Sequence, residues 1–147
     1  MARYGRVPGP SGYPADVPAL VKGIAHVGIR VADFERAKAF YALLGFEHTG
    51  GPFGSEPVAI LEHPAGVELN LIVNANGPGP HNVLMDEPVK HAGYTHVALD
   101  CTDLAAAQAT LEAAGFPLSG GPVTFPDGHR AIFVRDPDRN VIELNEA

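Results

Sequence analysis

The 147-residue chain has one cysteine, Cys101, no tryptophan and no long apolar run. A single cysteine excludes a disulfide within the chain and fits a reducing cytoplasm, which is the expected location. Without a run of about 18 apolar residues there is no candidate membrane-spanning helix. The opening MARYGRVPGPSGYPADVP has no apolar stretch of the kind a secretory signal needs. Its proline and glycine predict an irregular arm over residues 1–20. Basic residues are also scarce: ten Lys and Arg against seventeen Asp and Glu leave a formal net charge of −7, with no basic cluster. Nucleic acid and anionic membranes are therefore poor partners, since both need a basic footprint. Hydrophobic residues make up 46% and charged residues 18%, the balance of one globular domain.

What the chain does contain is a repeat. HVGIRVADFERAKAFYALLGFEHTGGP, from His26, aligns with HVALDCTDLAAAQATLEAAGFPLSGGP, from His96, at a constant spacing of 70. His26 meets His96, Asp33 meets Asp103, and Gly45-Phe46 meets Gly115-Phe116. Gly50-Gly51-Pro52 meets Gly120-Gly121-Pro122. Further on, Pro64 matches Pro137 at a spacing of 73, and Glu68-Leu69-Asn70 matches Glu143-Leu144-Asn145 at 75. Growing spacings confined to turn-like text are what loop insertions in a duplicated unit produce.

Each copy reads alike. IAHVGIRV alternates with period two, so it is a half-buried strand. Asp33 then offers an N-cap to a helix with Phe34, Ala37, Phe40, Tyr41 and Leu44 on one side, closed by Gly45. Asp103 and Gly115 bracket the corresponding helix in the second copy. Three short strands follow each helix. The expected fold is α+β: two tandem βαβββ modules forming a curved mixed sheet around a metal-binding cleft. One domain spans 21–147, with module 1 over about 22–73, a linker over 74–92 and module 2 over about 93–147.

Strand parity locates the chemistry. His26 lies opposite the apolar row of its strand and His96 opposite Val97 and Leu99. Glu68 shares a face with Asn70, and Glu143 with Asn145. Modules related by a pseudo-twofold axis would turn these faces toward one another. Two imidazoles and two carboxylates, His26, Glu68, His96 and Glu143, would then neutralise a divalent cation and leave it open positions for a substrate. His48, His63, His81, His91 and His129 fall in or beside loops and read as exposed. Phe40, Tyr41 and Cys101 read as packing, and Asp136 to Asn140 as a turn.

The segments AHVGIRVADFERAKAFYALLGF, VELNLI, GYTHVALDCTDLAAA and RDPDRNVIELNE resemble the glyoxalase I-type members of the vicinal oxygen chelate superfamily, which also holds bleomycin resistance proteins and dioxygenases. The resemblance runs from Ile24 to Glu146. It implies paired βαβββ modules around a divalent metal, nickel or zinc before cobalt, manganese or iron, with His26, Glu68, His96 and Glu143 at the ligand positions. It implies a lyase or isomerase that chelates vicinal oxygens of a small substrate and shuttles a proton through an enediolate. Glu143 is the implied proton carrier, with Glu68 second. Arg30 matches a position that holds glutathione in true glyoxalases, and Asn70, Asn74, His129 and Arg130 are further substrate-binding candidates. A homodimer with sites at the subunit interface is implied as well. The alternatives are an Fe(II) ring-cleaving enzyme of the dioxygenase type, which uses two His and one Glu, and a non-catalytic small-molecule binder.

Overall fold

A computed structural model describes residues 20–147. The expected irregular arm lies, apart from Leu20, outside the described residues. The first module comprises β1 (Val27–Arg30), α1 (Phe34–Ala42), β2 (Glu47–Phe53), β3 (Val58–His63) and β4 (Val67–Ile72). The second comprises β5 (His96–Asp100), α2 (Leu104–Ala113), β6 (Leu118–Thr124), β7 (Arg130–Arg135) and β8 (Val141–Glu146). Both modules therefore have the βαβββ order that the repeat predicts. Each forms its own four-stranded mixed sheet, in the orders β1-β4-β3-β2 and β5-β8-β7-β6. In each, the last strand lies parallel to the first and antiparallel to the third.

Local chemistry sets the helix ends. The Asp33 carboxylate accepts the Arg36 N–H at 2.9 Å, and Asp103 accepts that of Ala106 at 2.9 Å. These bonds satisfy donors that a helix start leaves without an intrahelical partner. Gly45 and Gly115 follow the two helices with φ of +91° and +88°, the left-handed geometry that turns the chain back without a Cβ penalty.

The apolar face of each sheet packs beneath its helix. Leu61, Leu69 and Leu71 are buried with Ala37, Phe40 and Tyr41, while Ile132, Val134 and Ile142 are buried with Leu104 and Leu111. All belong to one hydrophobic cluster, and the Phe40 and Phe116 rings meet edge-to-face at 4.8 Å across the module boundary. Burying one such side chain contributes about 1.5–3 kcal/mol.

The segment Asp136 to Asn140 is a turn, as its composition predicts, and it also clasps the two modules. Tyr41 Oη donates to Asp136 Oδ2 at 2.8 Å, the Ala32 N–H to Asp138 Oδ1 at 3.2 Å, and Asn140 Nδ2 to the Arg30 carbonyl at 3.1 Å. Burial pushes the Asp136 carboxyl up against the opposing pull of its donors Asn140 and Tyr41. Burial also pushes the Tyr41 phenol up, with the Asp136 charge adding to it.

Residues 74–92 contain neither helix nor strand. They are nonetheless fixed to the clasp. Asp86 takes a two-pronged pair from Arg139 at 2.7 and 3.0 Å and lies 3.2 Å from the Arg135 guanidinium. The hydrogen bonds from Arg139 hold the Asp86 carboxyl well below the usual range.

Candidate functional site

The face of each sheet away from its helix carries the candidate donors. In the first module His26 Nδ1 stands 3.9 Å from Glu68 Oε1, within ion-pair range but too long for a hydrogen bond. In the second, His96 Nε2 stands 3.0 Å from Glu143 Oε2, and Thr95 Oγ1 lies 2.8 Å from the other ring nitrogen. One ring nitrogen thus meets the Thr95 hydroxyl and the other faces the Glu143 carboxylate. The Glu143 side chain is only 12% exposed, against 34% for Glu68. Glu143 sits between Ala98 on β5 and Phe133 on β7.

These are two separate pairs and not one centre. Among the described residues, no three His, Cys, Asp or Glu side chains come together as a metal-holding group. A cavity of about 660 Å³ does lie between β1, β5 and the linker, lined by Arg30, Asn82, Tyr94, His96 and Asn140 among others. Of the four candidate donors only His96 reaches it. The expected convergence of all four is therefore absent from a single chain among the described residues.

The doubled Glu-Leu-Asn also needs correcting. Val27 on β1 pairs with Leu69, whereas its counterpart Val97 on β5 pairs with Ile142. Leu61 on β3 pairs with Leu69, and its counterpart Val134 on β7 with Ile142. At the far end the Val31 N–H donates to the Ile72 carbonyl, and the Cys101 N–H to that of Asn145. The turns agree: left-handed Gly66, at φ +81°, precedes β4 as left-handed Arg139, at φ +68°, precedes β8. Leu69 thus corresponds to Ile142. Glu68 corresponds to Val141, and Asn70 to Glu143. The matching strings are displaced by two residues in the fold.

The remaining candidates are dispersed. Arg30 Nε donates to Asn74 Oδ1 at 2.9 Å, and Asn74 Nδ2 to Glu56 Oε2 at 2.9 Å, a rim network that sequence reasoning missed because Glu56 stands in an unpatterned turn. Asn70 shares the His26 face, flanked by Gly28 and Ile60. Its Oδ1 is buried and has no hydrogen-bond partner. His129 pairs with Asp127 and stacks on Phe125 at 4.2 Å. Arg130, expected to bind substrate, has the strand parity of the buried residues Ile132 and Val134. It pairs with Glu146, which also accepts the Leu104 N–H at the start of α2, so it lies on the face opposite Glu143.

Residues 23–144 match the family pattern of the Glyoxalase/Bleomycin resistance protein/Dioxygenase superfamily. The chain belongs to this superfamily. Solved structures agree. A glyoxalase family protein from Enterococcus faecalis is 26% identical, aligns over 85% of this chain and 98% of its own, and superposes with a TM-score of 0.70. A superfamily member from Sphaerobacter thermophilus is 27% identical over 86% and 98% of the two chains, with a TM-score of 0.64. A glyoxalase/dioxygenase from Nostoc punctiforme, at 21% identity over 92% and 98%, shares the fold with a TM-score of 0.69. Among curated proteins none matches. No helix among the described residues is long and apolar enough to cross a membrane.

Proposed function

We propose that this superfamily member is a metal-dependent lyase or isomerase of the glyoxalase I type, acting on a small substrate with vicinal oxygens. The observation that carries the reading is the His96–Glu143 pair, 3.0 Å apart on an open sheet face and matched by His26 on the corresponding face of the other module. Imidazole nitrogens and carboxylate oxygens suit zinc, nickel or iron. The unpartnered Oδ1 of Asn70, buried on the same face, is a further oxygen that such an ion would satisfy.

Each half-site offers too few donors to close a coordination sphere. The reading therefore requires a second copy, with His26 and its face from one chain meeting His96 and Glu143 from the other. His26, His96 and Glu143 hold the ion, and the first module offers Glu68 and Asn70 for the fourth place. The bound ion supplies a Lewis acid for two neighbouring substrate oxygens. Glu143 and Glu68 are the carboxylates on these faces able to take a proton from one carbon and return it to the next. Arg30, held by Asn74 and by Glu56, whose carboxylate offsets its charge, would offer guanidinium N–H groups at the rim to an anionic substrate tail.

The test is turnover of the methylglyoxal–glutathione adduct by protein loaded with nickel or zinc, beside Glu143→Gln. Turnover that Glu143→Gln abolishes supports the reading. A loaded protein with no turnover removes the glyoxalase I activity.

A further inference from the structure

We propose that Asn70, not Glu68, fills the first module's metal-facing position, and that Glu68 stands outside the donor set as a carboxylate beside His26. This rests on the metal reading above. Three independent geometric relations support it: the β1–β4 register against β5–β8, the β3–β4 register against β7–β8, and the left-handed turn residues two positions before Glu68 and Val141. All place Asn70 where Glu143 stands. The neighbours also correspond. Asn70 lies between Gly28 and Ile60, and Glu143 between Ala98 and Phe133, each with a small residue on the edge strand and a bulky apolar one inside.

The amide has the chemistry the place requires. Asn70 Oδ1 is buried without a partner, a cost to the fold unless something outside the chain satisfies it. A carbonyl oxygen binds a cation without adding charge. The donor set becomes two imidazoles, one carboxylate and one amide, His26, His96, Glu143 and Asn70. A divalent ion there keeps one net positive charge, where a second carboxylate would cancel it. Such a site favours a substrate that chelates as an anion through adjacent oxygens over a neutral one. Two imidazoles with one carboxylate is also the set that ferrous iron accepts.

Glu68 is then free for other work. At 3.9 Å from His26 Nδ1, beyond hydrogen-bond reach, it stands as an outer carboxylate whose charge faces the imidazole. Its structural counterpart in the second module is Val141, which can do neither job.

The experiment is metal affinity, measured by titrating chelator-stripped full-length protein with zinc or cobalt alone. Wild type is compared with the near-isosteric variants Glu143→Gln, Glu68→Gln and Asn70→Asp. Circular dichroism and thermal melting establish that each is folded. The expected order is a loss well above about 100-fold for Glu143→Gln and of about 10–100-fold for Glu68→Gln, the latter being what an outer partner costs. Asn70→Asp, which adds a charged oxygen at the same point, tightens binding by about tenfold and alters the visible spectrum of the cobalt form. If Glu68→Gln weakens binding as much as Glu143→Gln while Asn70→Asp changes neither affinity nor spectrum, Glu68 is the donor and the assignment is overturned. If Glu143→Gln also leaves the affinity unchanged, the metal reading falls and the assignment falls with it.

Discussion

The two modules share a fold and differ in the strand that carries their candidate donors. β8 presents a well-buried glutamate 3.0 Å from its histidine. β4 presents an asparagine at the corresponding point and places its glutamate two residues earlier, more exposed and 3.9 Å from its histidine. Duplication conserved the scaffold, through its capping aspartates, closing glycines and apolar rows. The polar face diverged. The two equivalent frames thus carry unequal sets of polar side chains.

The largest effects test the equivalence of the frames. Leu69→Ala and Ile142→Ala each empty a fully buried point at matching places in the two sheets. Each is expected to lower unfolding free energy by about 2–5 kcal/mol in chemical denaturation. A cost below 1 kcal/mol at one of them would show that the modules are not packed alike. Next comes the clasp. Tyr41→Phe removes the hydroxyl donor to Asp136, which keeps the Asn140 amide, so the expected loss is about 1–2 kcal/mol.

The two left-handed turns sharpen the comparison further. Gly66→Ala meets open space but must hold φ near +81°, so it is expected to cost about 1 kcal/mol. Arg139→Gly relieves the same strain in the other module but loses the pair to Asp86. The two contributions oppose, and the net change should fall within about 1 kcal/mol of zero. Equal losses at both turns would contradict the structural alignment.

The smallest effect is in acid. Asp86 is held below its ordinary value of 3.8, chiefly by the hydrogen bonds from Arg139. Its contribution is therefore complete above that value and is lost as pH falls below it. Asp136, raised by burial, acts with the opposite sign, since acid relieves the cost of its buried charge. Asp86→Asn should flatten the decline of Tm between pH 5 and 2. An unchanged profile would show that the linker pair contributes nothing to the folded state.

Most of the fold was legible in the sequence. Period-two strands, Asp33 and Asp103 before the helices, and Gly45 and Gly115 after them are local signals that tertiary packing leaves intact. The candidate donors were legible as types and as faces. Their register was not. A slip of two residues keeps every side chain on its own face, so the alternation that identified the Glu68 face could not separate Glu68 from Asn70. The informative signal was the spacing of 73 between Pro64 and Pro137, which continues unchanged into β4 and β8. The clasp was hidden for another reason. Its contacts join residues up to 110 positions apart, and nothing in the DPDRN composition tells a turn that meets water from one that meets Tyr41 and Arg30.

The proposed metal site needs the His26 face of one copy to meet the His96–Glu143 face of another. It is tested most directly by isolating, with two affinity tags, a mixed pair made of one His26→Ala chain and one Glu143→Gln chain, and measuring its bound zinc. Each variant alone breaks every site. In the mixed pair one site combines both faults, while the other draws an intact first module from one chain and an intact second module from its partner. The account predicts one tightly held zinc ion per mixed pair and none in either parent. A mixed pair as empty as its parents would contradict it.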